Sequence, residues 1–142
     1  MHSLETSCIT IKGELERRLR LSRKRLIGLK EENLVWSTYS RYGADFPGRW
    51  LGTMTLLRDM GLAEDDSCIR QIAKELLERQ CPEGCYAPSA DYCRIPFQSA
   101  TKQDKGMDTV APLAFTVWFC ECLGYMGLLT LYKATGDKKY LD

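Results

Sequence analysis

Between Leu113 and Tyr132 the chain runs for twenty residues with a single charge, Glu121. A helix of that composition is apolar nearly all round, and such a helix must be covered on every side. Twenty residues is about the length that crosses a bilayer. Lys133, Lys138 and Lys139 follow it as a stop-transfer flank would. Against a span, Glu121 would lie near mid-membrane at a cost of roughly 3 kcal/mol, and Gly124 and Gly127 dilute the apolar run. Burial among other helices explains the same residues without that cost. The expectation is therefore a buried helix over about 113–133, stopped by Thr135-Gly136-Asp137, with no membrane partner.

Such a helix needs neighbours, and the rest of the chain supplies candidates. Cys8-Ile9-Thr10-Ile11-Lys12 alternates before Gly13 and reads as a short strand and lead-in over 1–13. A helix follows over about 14–29, with Leu15, Leu19, Leu26 and Leu29 near one face. Asp45-Phe46-Pro47-Gly48 reads as a turn that starts a helix over 49–60, ended by Gly61. Asp65-Asp66-Ser67 caps the next helix. Its Cys68, Ile69, Ile72, Ala73, Leu76 and Leu77 form one stripe, and it ends at Gln80. Residues 82–107, with three prolines, read as a long loop. Past the long apolar helix, Asp137 is placed to cap a further helix from Lys138. Antiparallel hairpins of this kind stack into bundles, solenoids and toroids. A helix apolar all round suits the inner layer of a toroid. The fold class expected is mainly all-α: an incomplete α/α toroid, read as a single partial domain over 1–142.

Charge and rare residues narrow the chemistry. The formal net charge is +1, which gives no global attraction to nucleic acid. Arg17, Arg18, Arg20, Arg23, Lys24 and Arg25 read either as a phosphate-binding patch or as a solvated face balanced by Glu31 and Glu32; the solvated face is preferred, and no nucleic-acid partner is expected. The one histidine is His2, which disfavours Ser-His, Cys-His and His-ligated zinc chemistry. The opening residues lack a basic region followed by an apolar run, so no signal peptide is read and the expected location is cytoplasmic. The seven cysteines are then expected as reduced, mostly buried thiols. Cys81, Cys85 and Cys93 have loose metal spacing but one ligand too few for structural zinc. Cys120 and Cys122 point about 200° apart on a helix and cannot share a ligand site.

No phosphate loop, nucleophile elbow or paired-carboxylate motif is present. Glu121, alone in an apolar helix, must reach a partner, a cavity or solvent. It is either a structural group or a cleft residue with a raised pKa. Arg49 and Trp50 combine a guanidinium fork with an aromatic face, both suited to sugars, or else form a surface arginine beside a core tryptophan. The candidate substrate-binding residues are Asp45, Arg49, Trp50, Trp118 and Glu121.

Several stretches taken together carry a family resemblance. They are the lead-in and Leu/Arg-rich helix of residues 8–29, then Asp45-Phe46-Pro47-Gly48-Arg49-Trp50-Leu51. Gln80-Cys81-Pro82-Glu83-Gly84-Cys85-Tyr86 and Gly127-Leu128-Leu129-Thr130-Leu131-Tyr132-Lys133-Ala134-Thr135-Gly136-Asp137 follow. The chain resembles the N-terminal part of glycoside hydrolase family 127, the β-L-arabinofuranosidase-like proteins. The resemblance implies an (α/α)6 barrel followed by β-sandwich domains, a carbohydrate substrate, and a zinc-bound cysteine nucleophile with a glutamate acid/base. Those residues are expected downstream, in a missing C-terminal part of the same chain; this segment is expected to hold no cofactor and no catalytic residue. The Gln80-x-x-x-Gly84-x-Tyr86 turn also resembles the terpene-cyclase repeat, without its Asp-rich motif. The competing expectations are a non-catalytic helical module that binds a protein or sugar, and a membrane-anchored protein with a helix at 113–132.

Overall fold

The computed structural model describes residues 8–39, 43–63, 66–82, 84–86 and 110–141, the last stretch with side chains from residue 121 onward. Four α-helices lie among them: α1 (Glu14–Glu31), α2 (Asp45–Asp59), α3 (Ser67–Leu77) and α4 (Val110–Thr135). Single 3₁₀ turns occupy Leu34–Trp36 and Lys138–Tyr140. The mainly α class expected from periodicity is the class observed.

Residues 9–12 form no strand, contrary to the alternating pattern. A strand needs a partner to take up its N–H and C=O groups, and no second strand exists among the described residues. The start of α2 is also earlier than the turn reading allowed. Asp45-Phe46-Pro47-Gly48 is the first helical turn itself. Proline is at home there, since the first N–H groups of a helix have no intrahelical acceptor and its fixed φ suits the helix. Gly48 N already donates to Ala44 O at 2.9 Å. The end of α2 is as expected: Gly61 has φ +69, and Leu62 N reaches Leu57 O at 2.9 Å, a left-handed stop that spares a side chain a strained backbone.

Each helix is held by the stripe its sequence displays. In α3, Ile69, Ile72, Ala73 and Leu76 are buried, with Cys68 and Leu77 packed on the core's edge. Asp66 precedes this helix but makes no side-chain cap. Its carboxylate accepts instead from Arg70, at 2.6 and 3.0 Å; Asp65 lies outside the described residues. The core between the helices is built from Trp50, Leu51, Met54 and Leu57 of α2, the α3 stripe, and Leu128 and Leu131 of α4. Only the inner side of α1 joins it, through Leu19, Leu26 and Ile27; Leu15, expected on that face, is exposed.

The closest packing lies between α2 and α4. A Cβ added at Gly124 would come within 2.5 Å of the Ala44 Cβ. One added at Gly127 would come within 2.5 Å of Gly48 O, and one at Gly48 would strike the Leu123 carbonyl. Farther along, Gly52 faces Gly127 and Thr130. Contacts advance together along both helices, so α2 and α4 run in the same direction. A short connection joins α2 to α3, and the two pack together. The long helix is thus covered by protein along its glycine side. Among the described residues no helix is long and apolar enough to cross a membrane; the side chains of 113–120 lie outside them.

Alanine at Gly48 or Gly127 is expected to destabilise the chain by about 1–3 kcal/mol or more, because the obstacle is backbone rather than a movable side chain. Alanine at Gly28, which meets nothing within 4 Å in α1, should stabilise by about 0.5–1 kcal/mol through helix propensity. Urea midpoints at constant m-value measure all three. Equal responses at Gly28 and Gly48 would dismiss the close-approach account.

Candidate functional site

The turn after α3 is built from a few hydrogen bonds. Cys81 N donates to Cys85 O, and Gly84 N donates to Cys81 O, both at 2.8 Å. Gly84 has φ +90, a backbone that glycine adopts without penalty. The Gly84 carbonyl then accepts twice, from Gln80 Nε2 at 2.8 Å and from Tyr125 Oη at 2.5 Å. Both lone pairs of that oxygen are engaged. The Gln-x-x-x-Gly spacing is therefore a turn lock, closed across 41 residues by a tyrosine of α4.

Tyr86, two residues on, turns inward and is buried. Its ring meets Tyr125 edge-on, with centroids 5.2 Å apart, and lies against Gly124 where the α2–α4 seam begins. Burial pushes the Tyr86 phenol well above its ordinary range. Beside these rings is an open depression of about 220 Å³, whose walls include Gln80, Tyr86, Tyr125, Leu128 and Tyr140. Asp137 accepts from Lys139 N at 3.2 Å and starts the 3₁₀ turn that carries Tyr140 there. A short 3₁₀ turn, rather than the further helix expected, is what Asp137 caps.

The sequence candidates are distributed unevenly around this site. Asp45 and Arg49 form an ion pair at 2.6 Å on the first turn of α2, with Arg49 half exposed. Trp50 is 1 % exposed, and its Nε1 donates to Leu26 O at 2.8 Å. Both ring faces are taken up by the core, so the tryptophan ties α1 to α2 and offers a sugar no surface. Glu121 stands one turn before Gly124, level with the start of α2, and burial raises its pKa above the ordinary carboxylate value. Its charge in turn raises Tyr125, after the larger effect of burial. The Trp118 side chain lies outside the described residues. The structure thus sets Glu121 one turn before Tyr125, places Asp45 and Arg49 at the same end of the seam, and removes Trp50 to the core.

Tyr125 and Tyr140 escaped notice in the sequence, since nothing local marks them as neighbours of residues 80–86. So did a stack in which Arg79 lies 4.0 Å over the Trp36 ring. Next to it, Tyr39 donates to Arg79 O at 3.2 Å, and burial pushes its phenol up to about 12.

The cysteines depart from the reduced, buried expectation. Cys85 is disulfide-bonded, to a partner outside the described residues. Cys8 and Cys122 are exposed thiols, Cys68 is a partly buried one, and Cys81 is partly buried too. Cys93 and the Cys120 side chain lie outside the described residues, as do most of the expected 82–107 loop and His2. Among the described residues no three His, Cys, Asp or Glu side chains stand close enough to hold a metal ion. The zinc-bound cysteine implied by the resemblance therefore has no ligand set among them.

The chain matches no protein-family model, no curated protein and no solved structure.

Two tests follow from this geometry. Tyr125→Phe and Gln80→Ala should each cost about 0.5–1.5 kcal/mol, and the double variant more than their sum, because the Gly84 carbonyl then loses both donors. A double variant no worse than either single one would show that these bonds do not hold the turn. For Glu121 the folded pKa lies above the unfolded one, so its contribution to stability is present at low pH and is lost as pH rises through the carboxylate range. Glu121→Gln should accordingly raise Tm by about 1–3 °C at neutral pH, with the gain vanishing below the ordinary value of 4.5. A pH-independent gain, or a loss at neutral pH, would contradict the burial account.

Proposed function

We propose that this chain is the N-terminal part of the α/α toroid of a carbohydrate-active hydrolase of the β-L-arabinofuranosidase-like kind. It supplies part of the cleft wall and none of the reacting groups. The observation that carries the reading is the parallel, glycine-tight pair of α2 and α4 with α3 packed beside α2. That arrangement is the step by which helical hairpins repeat around a toroid, inner helices side by side and outer helices returning between them. The depression supports the carbohydrate part through Tyr125, the exposed ring among its tyrosines, since an aromatic side chain beside a polar one such as Gln80 suits a sugar. It lies on the Gln80–Tyr86 stretch that also carries the family resemblance. The zinc centre belongs in this reading to residues further along the parent chain.

A non-catalytic helical module is the second reading. Tyr125, Met126 and Leu129 favour it, because they leave one side of α4 exposed, Met126 at 61 %, as a partner-binding surface would.

One comparison separates the two. The natural polypeptide should be longer than this chain and should hydrolyse p-nitrophenyl β-L-arabinofuranoside, whereas the 142-residue chain should not. A natural product of this length that melts cooperatively and cleaves no furanoside or pyranoside would discard the hydrolase reading in favour of the module.

A further inference from the structure

On the outer side of α1, Leu21 is 53 % exposed. The nearest surface neighbours of a helical residue are three and four positions away. For Leu21 all four are cations: Arg17, Arg18, Lys24 and Arg25. Two more large apolar side chains, Leu15 and Ile9, are exposed toward the N-terminal end of the same helix.

The charge here is concentrated rather than average. Over its 18 residues α1 carries seven Lys and Arg against three Glu, a net +4, whereas the whole chain carries only +1, so the remainder is acidic by three. The counter-charges expected at Glu31 and Glu32 are not the ones used. Glu14 takes Arg17 at 2.7 and 2.8 Å and Arg18 at 2.9 Å, and Glu16 takes Arg20 at 2.9 Å. Arg17 and Arg18 together hold the Glu14 carboxyl down at about 2. Both guanidinium groups remain open to solvent. Lys24 and Arg25 have no ion pair among the described residues. None of the helix's residues is fully buried, so this whole face is presented outward.

A solvated cationic face has no use for a leucine at its centre. A nucleic-acid backbone would satisfy the cations but offers no apolar layer, and α1 has no Asn, Gln or aromatic side chain to read or stack on bases. An anionic bilayer surface supplies both chemistries at once: phosphates and carboxylates for the cations, and the acyl boundary just beneath them for the leucine. We propose that the outer face of α1 seats the protein on an anionic lipid surface, with Leu21 entering the headgroup layer and Arg17, Arg18, Lys24 and Arg25 on the lipid phosphates. This is peripheral attachment through α1, not a helix that spans the bilayer, and it stands whether or not the carbohydrate reading holds.

Co-sedimentation of the intact chain with vesicles tests it. Vesicles of phosphatidylcholine mixed with phosphatidylserine should bind the chain at low salt, with binding weakening as salt rises; phosphatidylcholine alone should not. Reversing two cations in K24E/R25E should weaken binding at least about 100-fold. Leu21→Ser should weaken it about fivefold to tenfold while leaving binding to duplex DNA unchanged, since only a bilayer rewards the leucine. All three positions are solvent-facing, and circular dichroism of each variant verifies that the fold is kept. Absence of binding to the mixed vesicles at low salt would overturn the proposal. So would vesicle binding indifferent to Leu21→Ser and matched by equal affinity for DNA, which would make the face a general polyanion surface.

Discussion

The approach of α2 to α4 is the contact on which the remaining architecture depends. At Gly48, Gly124 and Gly127 the two backbones lie so near that a single methyl group has no room. That proximity aligns the two helices in parallel and gives α4 protein cover along one side without any polar group having to be buried unpaired. It also decides what can stand at the ends of the seam. Ala44 and Tyr86 close it beside Gly124, and from there Tyr86 reaches Tyr125 and the turn of residues 80–86. A larger residue at any of these glycines would move the tyrosines together with the helix.

The turn lock is a second consequence of the same packing. Gln80 alone could tie down Gly84, but the second donor, Tyr125, is delivered by α4 only because α4 is docked against α2. Local and long-range bonds meet on one carbonyl oxygen, so the depression beside them is shaped by three segments distant in sequence. Glu121 belongs to this neighbourhood too, a carboxylate held where burial favours its neutral form. The basic face of α1 is separate in every sense: it sits at the periphery, and its exposure follows from how little of α1 the core needs.

Much of this was legible in the residues. The stripe Ile69, Ile72, Ala73 and Leu76 appears as the buried face of α3, and Gly61 and Gly136 end their helices with positive φ. The expected start of α2 was late because Pro47 reads as a breaker, although in a first turn it breaks nothing. The strand at residues 8–12 failed because alternation specifies a surface and not a partner. Trp50 had two readings from sequence, stacking surface or core, and only its bond to Leu26 O and its enclosure decide for the core. The reduced-thiol expectation rested on the absence of a leader pattern, a signal that says nothing about which cysteines fold together, as Cys85 shows.

The sequence by itself determined the class, helices, and roughly where each begins and ends; it did not determine that Tyr125, Met126 and Leu129 leave one side of α4 exposed. Class and boundaries depend on periodicity, capping and glycine conformation, which act within a few residues. It also determined the ring of cations around Leu21, because positions three and four apart on one helix are neighbours in any fold. Only the tertiary structure decided that Gly48 meets Leu123 and that Tyr125 meets Gly84. It likewise decided that Trp50 is spent on the core, bonded to Leu26 O. Those pairings span tens of residues and arise from how closely two backbones can approach, a property of packed surfaces that no local pattern encodes.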